Sequence, residues 1–285
     1  MHNPPIGLRV ETTVPFSAIQ ESSKQTIPER QLTHSEIGTS FGERANHYED
    51  GRPPNSDETF AIARKYVLKQ EPVLDIGCGT GLSTVPLIKL FENVRGCDKD
   101  KRMLEKAEQK APGHFDFADV YKLPYKDGAF GLVTAFNAYH WFCDDDATKQ
   151  ISRVLKPGGF FLICKNGNGG EGALSKANRI IKETLVNTEI SEPGTNYKPD
   201  EVLTRNGFKI EEKITLDETE TYTVDQALHR KQADSIWKYV TEAKQEKNMV
   251  EKLRTHFETL KDEKGFVYEN RKRIVMLAKK CNLTK

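Results

Sequence analysis

From Val73 to Gly81 the chain reads Val-Leu-Asp-Ile-Gly-Cys-Gly-Thr-Gly, an apolar run that empties into three alternate glycines. A backbone that must approach a ligand closely favours glycine, because no Cβ intervenes and a positive φ costs little. A helix directly after such a loop turns its free N–H groups toward whatever is bound. Up to this point any nucleotide-type cofactor fits. The register narrows the choice: a dinucleotide fingerprint G-x-G-x-x-G/A counted from Gly77 reaches Leu82, and the extra glycine falls at Gly81 instead. Asp75, two residues before the first glycine, would repel a pyrophosphate and attract an ammonium or sulfonium, so the charge preference is for a cationic cofactor. Asp98 stands about twenty residues downstream, where a strand-end carboxylate accepts both hydroxyls of a ribose. Asp119 and Val120 end the next strand, where the acid suits the exocyclic amine of an adenine and Val120 with Met103 can sandwich the ring. Three acids at three successive strand ends would converge on one crevice.

Other reactive groups admit blander readings. His140 follows the fourth strand at the carboxyl edge of the sheet, which suits a general base or a wall of an acceptor pocket, and equally a histidine packed beside Trp141. Asp144, Asp145 and Asp146 could gather a metal, but acids immediately before a helix more often cap it and complement its dipole, so no metal is expected. Cys78, Cys97, Cys143, Cys164 and Cys281 are well separated, with none of the paired spacings of a zinc site or redox dithiol, and Cys97 and Cys164 read as core. The basic residues Arg271, Lys272, Arg273, Lys279 and Lys280 could touch a phosphate, but charged residues flanking a strand more often form a solvated edge.

The elements that must position these groups alternate. A helix over Asp57–Lys69 precedes the strand Val73–Ile76, then follow a helix over Ser83–Phe91, a strand over Val94–Asp98 and a helix over Lys101–Lys110. Strands over Phe115–Ala118 and Gly131–Ala135, a helix over Ala147–Leu155 and a strand over Phe160–Lys165 complete the core. Short buried strands separated by amphipathic helices specify an α/β, doubly wound, mostly parallel sheet, because parallel neighbours need a crossover. Beyond a glycine-rich joint at Gly167–Ala173, the pattern predicts a helix over Leu174–Val186, a break at Ser191–Gly194 and a strand over Phe208–Leu216. One or two helices over Val224–Leu260 and a last strand over Arg273–Ala278 follow.

Composition bounds the partners. The 285 residues, 36% hydrophobic and 30% charged, suit one enlarged domain or a core with a cap and contain no long apolar stretch. A net charge of +1 supplies no global field for a polyanion, so nucleic acid is not an expected partner. The opening thirty residues lack a secretory pattern and read as a loose tail, which points to a cytoplasmic protein without a membrane span.

The run Asp75–Gly81 (D-x-G-x-G-x-G) with Asp98 resembles class I methyltransferases that bind S-adenosylmethionine, and the likeness covers about half the chain, from Asp57 to Lys165. Asp119 with Leu123-Pro124, then Ala138-Tyr139-His140-Trp141-Phe142, then Arg153 to Gly159, is similar to the small-molecule branch of ubiquinone-biosynthesis and trans-aconitate type. The resemblance implies a Rossmann-like, seven-stranded sheet with a helical cap or lid. It implies S-adenosylmethionine bound by Asp75, Gly77, Cys78, Gly79, Gly81, Asp98, Lys99, Met103, Asp119, Val120 and Phe136, with S-adenosylhomocysteine as product. Phe41–Pro54 resembles the segment covering the cofactor in that branch, which adds Tyr48 and Arg52. An acceptor pocket of Tyr48, His140, Trp141 and Trp237 is implied, with His140 the candidate catalytic group. The implied organisation is a tail over residues 1–40, a lid over 41–56, the core over 57–166, and a remainder over 167–285 whose insertion at about 224–262 caps the acceptor site. One departure is Gly131, where the branch usually has an acid; a slightly altered strand edge is expected there. The expected reaction is methyl transfer to an O, N or C atom of a small acceptor by a monomer or homodimer. The alternatives are an NAD-dependent oxidoreductase and a non-catalytic S-adenosylmethionine-binding module.

Overall fold

The computed structural model describes residues 47, 50–52, 55–167, 170–186, 188, 190 and 197–281. By compactness the chain divides into Met1–Thr33 and His34–Lys285, and every described residue belongs to the second unit. The expected tail, most of the Phe41–Pro54 lid including Tyr48, and the Ser191–Gly194 break lie outside the described residues.

Helix α1 (Asp57–Tyr66) sets Asp57 and Glu58 against its N-terminal dipole and buries Phe60, Ile62 and Ala63. It leads into β1 (Val73–Ile76), whose four residues are all buried. Helix α2 (Thr84–Leu90), β2 (Val94–Asp98), α3 (Lys101–Lys110), β3 (Phe115–Phe117) and β4 (Phe130–Phe136) continue the alternation. Then come α4 (Asp145–Val154) and β5 (Leu155–Asn166). β1 to β5 pair in parallel, as the alternation predicts, in the order 3-2-1-4-5. Because successive strand residues face opposite sides, Leu74, Ile76, Val133 and Ile163 pack in one apolar layer with Ile151, while Val73, Leu132 and Leu162 pack in the other with Phe60 and Leu87.

The second half departs further from the expected bounds. Glu171 and Gly172 of the expected flexible joint form a two-residue strand, β6, and α5 (Ala173–Thr184) follows at once. The described residues therefore hold eight strands, β6 being the addition to the expected seven. After α6 (Pro199–Arg205) come β7 (Phe208–Thr223), three helices α7 (Val224–Gln232), α8 (Trp237–Glu242) and α9 (Glu246–Leu260), and β8 (Phe266–Lys280). β8 runs antiparallel to β5, β6 and β7. β7 and β8 are long because they pair along their whole length, and their polar alternation is held by ion pairs across the ladder. Arg273 meets Glu218 at 2.6 Å and Arg271 meets Glu220 at 2.8 Å, and Arg273 is 3% exposed, so these two arginines leave the solvated edge their composition suggests while Lys272 and Lys279 stay exposed. Helices α5, α7, α8 and α9 bury a third apolar layer with Tyr222 and Val267. Among the described residues no helix is long and apolar enough to cross a membrane.

Candidate active site

The glycine loop turns as its sequence requires, with φ of +66°, +54° and +80° at Gly77, Gly79 and Gly81. A Cβ on Gly77 would stand 2.6 Å from that of Ala138, so the loop lies against the end of β4 with no room for a side chain. Across the loop, Asp98 accepts the N–H groups of Gly79 and Asp100, both at 2.9 Å. Burial, opposed by these bonds, holds the Asp98 carboxyl above the usual carboxylate range.

In front of this loop opens a cavity of about 580 Å³, of a size that takes a small ligand. Gly77, Gly79, Asp98, Lys99, Asp119 and Arg52 line it. Met103, Val120, Cys97 and Ala118, each under a tenth exposed, give it an apolar wall. Asp119 stands at the mouth and receives the N–H of Tyr121 at 3.0 Å. Arg153 donates to the carbonyls of Leu123 and Tyr125 at 2.8 and 2.7 Å, fixing the segment that follows Asp119. The cavity opens at the carboxyl ends of the parallel strands, where open α/β sheets bind ligands.

Several expected site residues lie elsewhere. Asp75 is wholly buried and accepts three hydroxyl bonds at 2.7 Å, from Ser83, Thr84 and Thr134. It ties β1 to the start of α2 and to β4 and does not reach the cavity, so the charge attraction argued for it is corrected to a structural clamp. Trp237, 5% exposed, belongs to the apolar layer beneath α7–α9 and not to the acceptor pocket. Gly81 packs against Phe115 and Ala107. Cys78 and Phe136 line a small adjoining pocket of about 40 Å³ that shares Arg52, Gly77 and Asn137 with the cavity. Tyr48 lies outside the described residues. Asp144 caps α4 by accepting the Ala147 N–H at 2.9 Å, and Asp145 pairs with Arg205 at 2.5 Å. Among the described residues no three His, Cys, Asp or Glu side chains gather as metal ligands.

His140 and Trp141 do line the cavity, and their rings stand 4.8 Å apart. Burial, then the charges of Lys165 and Arg52, push the His140 imidazole down to about 3, so at neutral pH it is uncharged. Its Nδ1 is buried with no hydrogen-bond partner among the described residues.

Residues not singled out from sequence complete the cavity. Asn137, the first residue after β4, adopts φ +51° and accepts the Asn166 N–H at 2.9 Å. Its position at the carboxyl edge of a central strand was the available signal. Lys165 at the end of β5, Lys182 on α5, Arg230 and Lys231 on α7 and Asp234 form a charged arm, joined by Arg271, which the sequence placed on a basic strand edge. Two basic residues within the otherwise core-facing side of α7 were the signal there, since buried cations are rare without a reason.

Residues 74–163 match the family described as Methyltransferase domain. The malonyl-[acyl-carrier protein] O-methyltransferase of Enterobacter lignolyticus is 30% identical over 156 residues, covering 52% of this chain and 60% of that one. An uncharacterized methyltransferase of Schizosaccharomyces pombe is 30% identical over 132 residues, covering 41% and 46%. The chain thus spans about half the length of the curated relatives it matches. Among solved structures, one assigned as a type II methyltransferase of Anaeromyxobacter dehalogenans aligns with TM-score 0.61 at 18% identity, covering 79% of this chain and 97% of its own. The [4+2]-cyclase SpnF aligns with TM-score 0.51 at 18% identity, covering 88% and 97%, so the shared architecture is not confined to proteins named methyltransferases. The match over residues 74–163 and the parallel strand order around it make this segment similar to a methyltransferase domain set in a Rossmann-like sheet.

Proposed function

We propose that this protein moves the methyl group of S-adenosylmethionine to a small organic acceptor and releases S-adenosylhomocysteine. The observation that carries the reading is Asp98, held at the end of β2 by the Gly79 N–H and facing a cavity with an apolar wall. Oxygen lone pairs of Asp98 not engaged by the backbone receive the two ribose hydroxyls, and Asp119 takes the adenine amine. Met103, Ala118 and Val120 flank the adenine ring, and the tight Gly77 turn admits the methionine portion close to the backbone. Arg52 supplies a cation for the cofactor's carboxylate. When bound, the cofactor supplies a methyl carbon that forms a bond to the acceptor's nucleophilic atom as the carbon–sulfur electron pair returns to sulfur.

The chain's own contribution is to hold acceptor and methyl in line and to keep water out. The uncharged, weakly basic His140 supports a positioning role in the acceptor wall more than that of a strong base, which favours acceptors already carrying their nucleophilic electron pair. The helices of the 224–262 insertion close the acceptor arm through α7. Five unpaired thiols support a cytoplasmic setting, and the expected partner is a small molecule, with a monomer or homodimer as the working unit.

Isothermal titration with S-adenosylhomocysteine tests this, with NADH as control. Binding to the parent, weakened at least tenfold in Asp98→Asn as expected when a charge-assisted acceptor worth ~1.5–3 kcal/mol is neutralised, supports the reading. Preference for NADH, or equal affinity in both chains, overturns it.

A further inference from the structure

The arm of the cavity away from Asp98 carries an uneven balance of buried charge. On α7, Arg230 and Lys231 both pair with the single carboxylate of Asp234, and their side chains are 8% and 2% exposed. Lys231 Nζ also donates to Asn178 on α5. Lys165 enters the same arm from the end of β5, its Nζ 4.3 Å from the centre of the Tyr197 ring. The acids nearby do not restore neutrality. Glu269 also lines the arm and contributes a second negative charge, its carboxylate accepting the N–H groups of Leu174 and Ser175 at the start of α5, at 2.9 and 3.2 Å, and the Ser175 hydroxyl. Glu220 is matched by Arg271. Three cations, Arg230, Lys231 and Lys165, against two carboxylates, Asp234 and Glu269, leave excess positive charge in a place poorly reached by water, an arrangement that an incoming anion relieves.

Resting on the methyltransferase reading of the same cavity, we propose that this arm is a subsite for an acidic group of the methyl acceptor, a carboxylate or phosphate, held by Lys231 and Lys165. The Asn178 amide nitrogen and the Ser235 hydroxyl, which also line the arm, supply neutral donors for the remaining oxygens. The charges that depress His140 include Lys165, so an oxyanion bound there raises the basicity of His140. Lys231, lowered by burial and by the Arg230 and Arg271 charges, regains a counter-charge in the same step.

The test is titration of the full chain, saturated with S-adenosylhomocysteine, with succinate, inorganic phosphate and the neutral diamide succinamide. Binding of succinate or phosphate without succinamide is expected, and which of the two binds distinguishes the carboxylate from the phosphate source. Lys231→Met leaves Arg230 and Asp234 as a balanced pair, so the variant is expected to fold. It and Lys165→Met should each weaken the anion at least about tenfold, ~1.4 kcal/mol, with S-adenosylhomocysteine affinity within about twofold of the parent. In the parent, nuclear magnetic resonance titration of His140 should show its pKa moving upward when the anion is bound. Intact S-adenosylhomocysteine binding with no anion binding overturns the subsite and spares the methyltransferase reading. Loss of S-adenosylhomocysteine affinity in folded lysine variants assigns the cluster to the cofactor and overturns the subsite as well. Failure of the parent to bind S-adenosylhomocysteine overturns both.

Discussion

His140 shows how a residue's surroundings decide its chemistry. Its folded-state pKa of about 3 lies below the ordinary 6.5, so between these values the unfolded chain binds a proton that the folded chain refuses. The contribution of His140 to stability is therefore present above pH 6.5 and is lost as pH falls toward 3, with a slope of at most ~1.4 kcal/mol per pH unit. In His140→Gln the urea midpoint should drop less between pH 7 and pH 5 than in the parent; equal drops would mean that the folded protein protonates the ring. Which side chains meet the cavity was only partly legible in the sequence. The glycines and Asp98 announced themselves because a tight turn and a strand-end acid have few other uses. Asp75 did not, because its spacing from the loop is the same whether it faces a ligand or, as here, the hydroxyls of Ser83, Thr84 and Thr134. Arg230 and Lys231 were hidden because a basic pair in a helix ordinarily faces water.

Gly131 decides the geometry of a strand edge. A Cβ there would meet the Glu71 carboxylate, which pairs with Lys156, and the β4–β5 register shifts between Phe130 and Leu132. The altered edge expected from this departure is thus a bulge, and a carboxylate stands beside it all the same, supplied by Glu71. Gly131→Ala should destabilise by about 1–3 kcal/mol through overpacking. Adding Glu71→Ala should recover most of that in a double-mutant cycle, whereas additive losses would refute the contact. The five parallel strands were readable from apolar runs and intervening helices. The full extents of β7 and β8 were not, because Asp217–Thr223 and Tyr268–Lys272, beyond the expected strands, are largely polar and read as loop until paired. Nor did periodicity show the two breaks that divide residues 224–260 into three helices.

For the whole molecule, cofactor binding and folding are linked. S-adenosylhomocysteine at a hundred times its Kd adds about 2.7 kcal/mol if only the folded chain binds it. At about 2–4 °C per kcal/mol for a chain of this size, Tm should rise by roughly 5–10 °C. Thermal unfolding followed by fluorescence checks this, and a Tm unmoved by saturating ligand would separate the site from the folded core. The net charge of +1 hides the cationic arm, because charge summed over 285 residues says nothing of where it is buried.

The pairing of β5 with β8 reaches from Phe160–Asn166 to Arg273–Lys279, about a hundred residues along the chain. During synthesis β5 leaves the ribosome long before its partner exists; at about 5–20 residues per second the gap lasts roughly 5–20 s. For that interval the Phe160–Cys164 edge offers open amides and carbonyls flanked by apolar side chains, a template for pairing with another nascent chain. The vulnerable moment for this protein therefore falls during translation, and a message cut short anywhere between residues 167 and 265 leaves β5 with an uncovered edge open to pairing with another chain.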